Sequence, residues 1–166
     1  MNTQSRHIAV VMERITLDNH WQPYKWQVAG VLPGMGSGEP ARTLGRRADS
    51  LQRLYPDLEV MLHRDEAEGY YLNLTSPEPR LFVLWRLHEE RADAENEAEP
   101  LLLTLSYNEA ARWMDAQEKV DGVPLPGDLI PWLGEFVEQH YRPEVKKQRI
   151  RPRSFESKEG RYRGRM

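Results

Sequence analysis

The side chains with the most chemistry to offer are five histidines, at positions 7, 20, 63, 88 and 140, and the carboxylates near one of them. No two of these histidines stand at the spacing that presents a pair of imidazoles to one metal ion. His63 has company in Asp65, Glu66 and Glu68, a set that would suit a hard or borderline divalent cation if the turn curled around it. A solvated strand end is the commoner origin of such a run, and no metal is assigned. Gly34, Gly36 and Gly38 follow a strand-like stretch and suggest a phosphate cradle. The P-loop lysine and hydroxyl are missing, however, the spacing is not that of the dinucleotide fingerprint, and Glu39-Pro40 stands where a helix N-terminus should meet the anion. Ser37 lacks the nucleophile elbow, because Met35 occupies the place of its first glycine. Cysteine is absent, which removes disulfides, thiolate metal sites, iron–sulfur ligation and a cysteine nucleophile together. The residues assign no catalytic group and no cofactor, and by themselves they do not say what the chain does.

The elements that position these residues are legible from their periodicity. Ile8 to Met12 is a nearly unbroken apolar run with two valines, as in a central strand covered on both faces. From Tyr24 to Leu32, Tyr24, Trp26 and Val28 alternate with Lys25, Gln27 and Ala29, the period of a half-buried strand. The glycine- and proline-rich stretch after Leu32 is a loop. Further strands are predicted at Leu58 to Leu62, Tyr70 to Leu74, Leu81 to Leu87 and Leu101 to Leu105. The acidic stretch from His88 to Pro100 reads as a long, mobile hairpin loop. Ser106 with Glu109 forms a capping-box pattern that opens a helix from about Asn108 to Lys119. A second helix begins under the cap of Asp128, tolerates Pro131 in its first turn and ends near Tyr141, with Leu129, Leu133, Phe136, Val137 and His140 on one face. Strands first and helices last predict an α+β fold: a mainly antiparallel sheet of five or six strands with two C-terminal helices packed on it.

Charge divides the chain at Tyr141. Residues 1–141 carry 13 Lys and Arg against 23 Asp and Glu, and residues 142–166 carry 10 against 3. A body of formal charge −10 is thus joined to a tail of +7, and so many like charges with few apolar residues predict a disordered basic arm. One domain at 1–141 and a flexible tail at 142–166 is the expected organisation. The tail is open to nucleic acid, a membrane surface, or an acidic partner or the domain itself. Only Phe155 and Tyr162 are available in it for stacking on bases, and the acidic body repels phosphate, so nucleic acid is not the favoured partner. The opening residues are neither a secretory signal nor a bilayer span, and a cytoplasmic protein is expected.

Five tryptophans complete the inventory. Trp26, Trp85 and Trp132 sit among apolar neighbours and are expected in the core. Trp21 and Trp113 are less clearly buried and are candidates for an interface, where tryptophan is enriched.

Three blocks, VVMERITLDNHWQPYKWQVAGVLPG from Val10, LHRDEAEGYYLNLTSPEPRLFVLWRL from Leu62 and PLPGDLIPWLGEFVEQHY from Pro124, together resemble a bacterial domain-of-unknown-function family encoded beside formate dehydrogenase genes. The motifs that carry the resemblance are Glu13, Arg14 and Trp21 in the first block, and Leu62, His63, Arg64, Glu66, Glu68 and Tyr70 in the second. The chain differs in a longer linker at 35–56 and in the acidic loop at 88–100. The resemblance implies an accessory or assembly factor for a molybdenum- or tungsten-dependent formate dehydrogenase, acting by contact with that enzyme or its maturation proteins. An enzyme of molybdopterin cofactor synthesis is the alternative, although this chain lacks the glycine-rich nucleotide-binding start of such a transferase. The binding residues expected are Arg14, Trp21, His63, Arg64, Glu66, Glu68 and Tyr70 in the body, and Lys146, Lys147, Arg149 and Arg151 in the tail. Arg14, Arg64, Glu66, Glu68 and Tyr70 are expected at one exposed surface, and a structural ion-pair network is the competing reading.

Overall fold

The apolar run from Ile8 to Met12 lies inside a 13-residue strand, β1 (Gln4–Thr16), that organises the molecule. The computed structural model describes residues 4–34, 38–88 and 97–143. Because successive side chains of a strand point to opposite faces, five consecutive buried residues require cover on both sides. Ile8, Val10 and Met12 join the main core, while Ala9 and Val11 pack with Leu54 behind it. β1 pairs antiparallel with β2 (Tyr24–Pro33), β4 (Ser50–Tyr55) and β5 (Glu59–Leu62), and β3 (Arg42–Arg46) completes this five-stranded sheet beyond β4.

The second sheet has three antiparallel strands in the order β7 (Ala98–Thr104), β6 (Arg80–Leu87), β8 (Lys119–Pro124). Among the described residues three helices complete the set: α1 (Ala67–Leu74), α2 (Tyr107–Asp115) and α3 (Ile130–His140). The fold is therefore α+β with antiparallel sheets. Ile8, Val10 and Met12 of β1, Leu81, Val83 and Trp85 of β6, Ala98 and Leu103 of β7 and Trp132, Leu133, Phe136 and Val137 of α3 share one core with Trp26 and Tyr70.

Several local features depart from the sequence reading for identifiable reasons. The Tyr70 to Leu74 stretch is the second half of helix α1, not a strand. Ala67, Tyr70 and Asn73, each three residues from the next, are buried on one helix face, a short apolar pattern that periodicity alone does not separate from a strand. Helix α2 stops at Asp115 and not near Lys119, because Gln117 adopts a left-handed φ of 65° and turns the chain into β8. Asp128 makes no capping bond; α3 is entered instead through a 3-10 turn at Gly127–Leu129. The stretch read as a linker contains the β3–β4 hairpin, whose outer strand is exposed along its whole length. The acidic stretch does join two paired strands, since the His88 N–H donates to the Glu97 carbonyl at 2.8 Å, and residues 89–96 lie outside the described residues. So does the chain from 144 onward, including the predicted arm with Lys146, Lys147, Arg149 and Arg151.

Candidate functional site

The residues expected to form one binding surface fall into two groups at opposite ends of β1. Gln4 pairs with Leu62, just before His63 and Arg64, whereas Arg14 pairs with Trp26. About ten residues at ~3.3 Å each place the two groups roughly 30 Å apart along the strand.

The first group is a closed polar network where α1 meets α2. Ser106, fully buried, accepts the Glu109 N–H at 3.1 Å as the helix cap and donates its own proton to Glu66 at 2.6 Å. Arg112, one turn further along α2, binds the other Glu66 oxygen. Glu68 accepts from Asn108 at 3.2 Å. The Tyr70 hydroxyl accepts the His63 N–H at 2.9 Å, and its ring meets Phe136 edge-on. Burial raises the Tyr70 hydroxyl well above the ordinary phenol range and holds it protonated. Gly69 makes the contact between α1 and α2 possible: a Cβ there would lie 1.9 Å from the Ser106 Oγ. Asn73 on the same helix, completely buried, receives the Arg80 N–H and donates to the Arg80 and Leu105 carbonyls. Arg64 and His63 remain on the exposed surface.

The second group stands at an open cleft. β2 is an edge of the five-stranded sheet and β8 an edge of the three-stranded sheet, and the two edges face each other without pairing. The Val28 N–H crosses between them to the Asp121 carboxylate at 2.8 Å. Beyond that bridge the edges enclose a cleft of about 740 Å³ lined by Trp21, Tyr24, Trp26, Trp85, Lys25 and Lys119. Trp21, at the tip of the β1–β2 turn, is 94 % exposed. The Arg14 guanidinium lies 4.5 Å over the Tyr24 ring, and the Lys119 ammonium 5.5 Å from the Trp85 ring. Neither Lys25 nor Lys119 has a carboxylate partner among the described residues. The indole N–H groups of Trp26 and Trp85 are buried and also lack acceptors there.

This arrangement can hold an extended, hydrogen-bonding ligand between aromatic walls, with cations to receive negative charge. Sequence reasoning reached Arg14 and Trp21. It missed Lys25, Trp85, Lys119 and Asp121, because only the β6–β8 pairing of Trp85 with Lys119 brings the last three to β2. No group of three histidine or acidic side chains placed to hold a metal ion occurs among the described residues, and His63 and its acidic neighbours are not such a group.

Two antiparallel sheets and, among the described residues, three helices define an α+β architecture with an aromatic, cationic cleft between two sheet edges. The chain belongs to the DUF3305 family of proteins of unknown function, whose family model matches residues 7–151. No curated protein and no solved structure matches it. No helix of the described residues is long and apolar enough to cross a membrane.

Proposed function

We propose that this protein is a cytoplasmic, non-catalytic accessory or assembly factor that grips a partner protein through the β2–β8 cleft. The observation that supports the reading is the exposure of Trp21 beside two unpaired sheet edges. Tryptophan is enriched among the residues that carry most of the binding energy at protein interfaces. The alternation that builds β2 sends Trp26 and Val28 into the core, whereas Trp21 stands in the β1–β2 turn, outside both strands. Formate dehydrogenase, or a protein that matures it, is the partner that the resemblance of the three sequence blocks supports.

The test is deletion of the gene followed by measurement of formate dehydrogenase activity, metal and cofactor content. Lost activity with apo-enzyme accumulating is the result expected of a factor in cofactor delivery, and lost activity with loaded enzyme is expected of one in subunit assembly. Normal activity with full cofactor loading contradicts the proposal. Tight binding of a nucleotide or pterin by the isolated chain, with no protein partner retained, would move it to the cofactor-synthesis reading.

A further inference from the structure

We infer that the cleft recognises its partner by strand addition: a short, extended, acidic segment of the partner pairs with the free edge of β2 between Tyr24 and Trp26. This inference rests on the cleft being the partner-binding site and specifies what enters it.

The hydrogen-bond parity of β2 decides which of its backbone groups face the cleft. In an antiparallel ladder, alternate residues turn both backbone groups toward the partner strand, and those between turn them away. The Leu17 N–H donates to the Pro23 carbonyl at 2.7 Å, which makes that position a bonded one on the β1 side. Lys25 and Gln27 follow it by twos and face β1 as well, opposite Ile15 and Glu13. Tyr24, Trp26 and Val28 therefore direct their N–H and carbonyl groups away from β1. Val28 confirms the parity, since its N–H is the one that reaches Asp121. The register shift in the β1–β2 ladder lies beyond Val28, so the alternation from Tyr24 to Val28 is unbroken.

The outward N–H and carbonyl of Tyr24 and Trp26 have no partner among the described residues. They open on the cleft, which both residues line. A side-chain carboxylate at Asp121 already serves one outward N–H where the edges come together. An extended peptide supplies the same acceptors, and donors besides, where they stand apart, which is the recognition mode of an exposed sheet edge.

The charge of the occupant is set by the walls. Lys25 and Lys119 lack carboxylate partners among the described residues, within a body that is strongly acidic, and Asp121 is engaged by Val28. An acidic segment meets two available cations there, whereas a basic one meets none of the unbound carboxylates it would need.

The test is selection of a random peptide library, displayed on phage, on the intact chain, followed by titration of the enriched sequences. The expected result is enrichment in Asp and Glu, with binding weakened about tenfold or more in the Lys25→Glu, Lys119→Glu double variant. N-methylation of alternate peptide amides should abolish binding, and amide exchange should slow at Tyr24 and Trp26. Absence of enriched peptides, binders without acidic bias, or indifference to N-methylation overturns the inference. So does protection at the separate groove lined by Met61, Leu102 and Trp113, or protection of Tyr24 and Trp26 by self-association, which would make a second copy the occupant. A partner that is held by the wild type and lost on Trp21→Ala, yet ignores the lysine variants and strand-blocking, overturns strand addition and leaves the partner-binding proposal standing. Failure to hold any partner counts against that proposal itself.

Discussion

The α1–α2 junction and the β2–β8 cleft are built from similar residue types and end in opposite conditions. At the junction, the Glu66 carboxylate, the Ser106 hydroxyl and the Arg112 guanidinium use one another, and Asn73 closes three backbone groups nearby. At the cleft, Lys25 and Lys119 lack carboxylate partners, and the indole N–H groups of Trp26 and Trp85 and the outward backbone groups of Tyr24 and Trp26 lack hydrogen-bond partners, among the described residues. The first region uses its polar groups to hold the helices against the sheets. The second does not. A charged motif thus says little by itself about binding; what matters is whether the fold has already satisfied it.

This contrast is most easily broken at Gly69. The Gly69→Val variant must push α1 from α2, because even its Cβ falls within bonding distance of the Ser106 Oγ, and backbone or capping geometry has to yield. We expect loss of about 3 kcal/mol or more of stability, read by denaturant unfolding. Asn73→Ala follows at about 2–3 kcal/mol, since it leaves the buried Leu105 carbonyl and the half-buried Arg80 N–H and carbonyl without their side-chain partner. Glu66→Ala should cost less, about 1–2 kcal/mol, because Arg112 is largely exposed and water can take over its charge. Stability close to wild type in all three variants would erase the distinction between the regions.

Alkali offers a milder probe of the packed region. Tyr55 lies against the Glu97 carboxylate at 2.7 Å and Tyr70 is buried; desolvation raises both hydroxyls above their ordinary value near 10. In the unfolded chain these phenols lose their protons first, so the native state binds more protons above about pH 10 and stability falls as pH rises from there. Their contribution is fully present below that point. Unfolding followed from pH 8 to 12 should show a level region and then a decline, smaller in Tyr55→Phe and Tyr70→Phe measured relative to their own neutral-pH stability.

Much of this architecture was written plainly in the chain. Alternation marked Tyr24 to Leu32, the aliphatic run marked Leu81 to Leu87, and Ser106 does cap α2 as its spacing with Glu109 suggests. The elements that escaped lack the signals on which such reading depends. β3 is an exposed edge with arginine at both ends and so has no apolar face to alternate. β8 contains Lys, Asp, Gly and Pro and is a strand chiefly because β6 offers it a ladder. The candidate site was half legible: Trp21 announced itself as a tryptophan in a polar turn, and Arg14 stood close by. Its other wall came from residues some sixty to a hundred positions away, and only tertiary pairing brings Trp85 and Lys119 to β2.

At the cleft the same kind of substitution should leave the fold alone. Trp21→Ala removes a side chain that is 94 % exposed and touches no core residue cluster, so stability should stay within about 0.5 kcal/mol of wild type. The most direct measurement is therefore capture of formate dehydrogenase or its maturation proteins by tagged wild type and tagged Trp21→Ala, coexpressed with the neighbouring genes and compared at low and moderate salt. The wild type should retain one of these proteins in a salt-sensitive manner, and the folded Trp21→Ala variant should lose it. Equal retention by the two proteins, or retention of neither enzyme nor maturation protein by the wild type, would contradict the proposal.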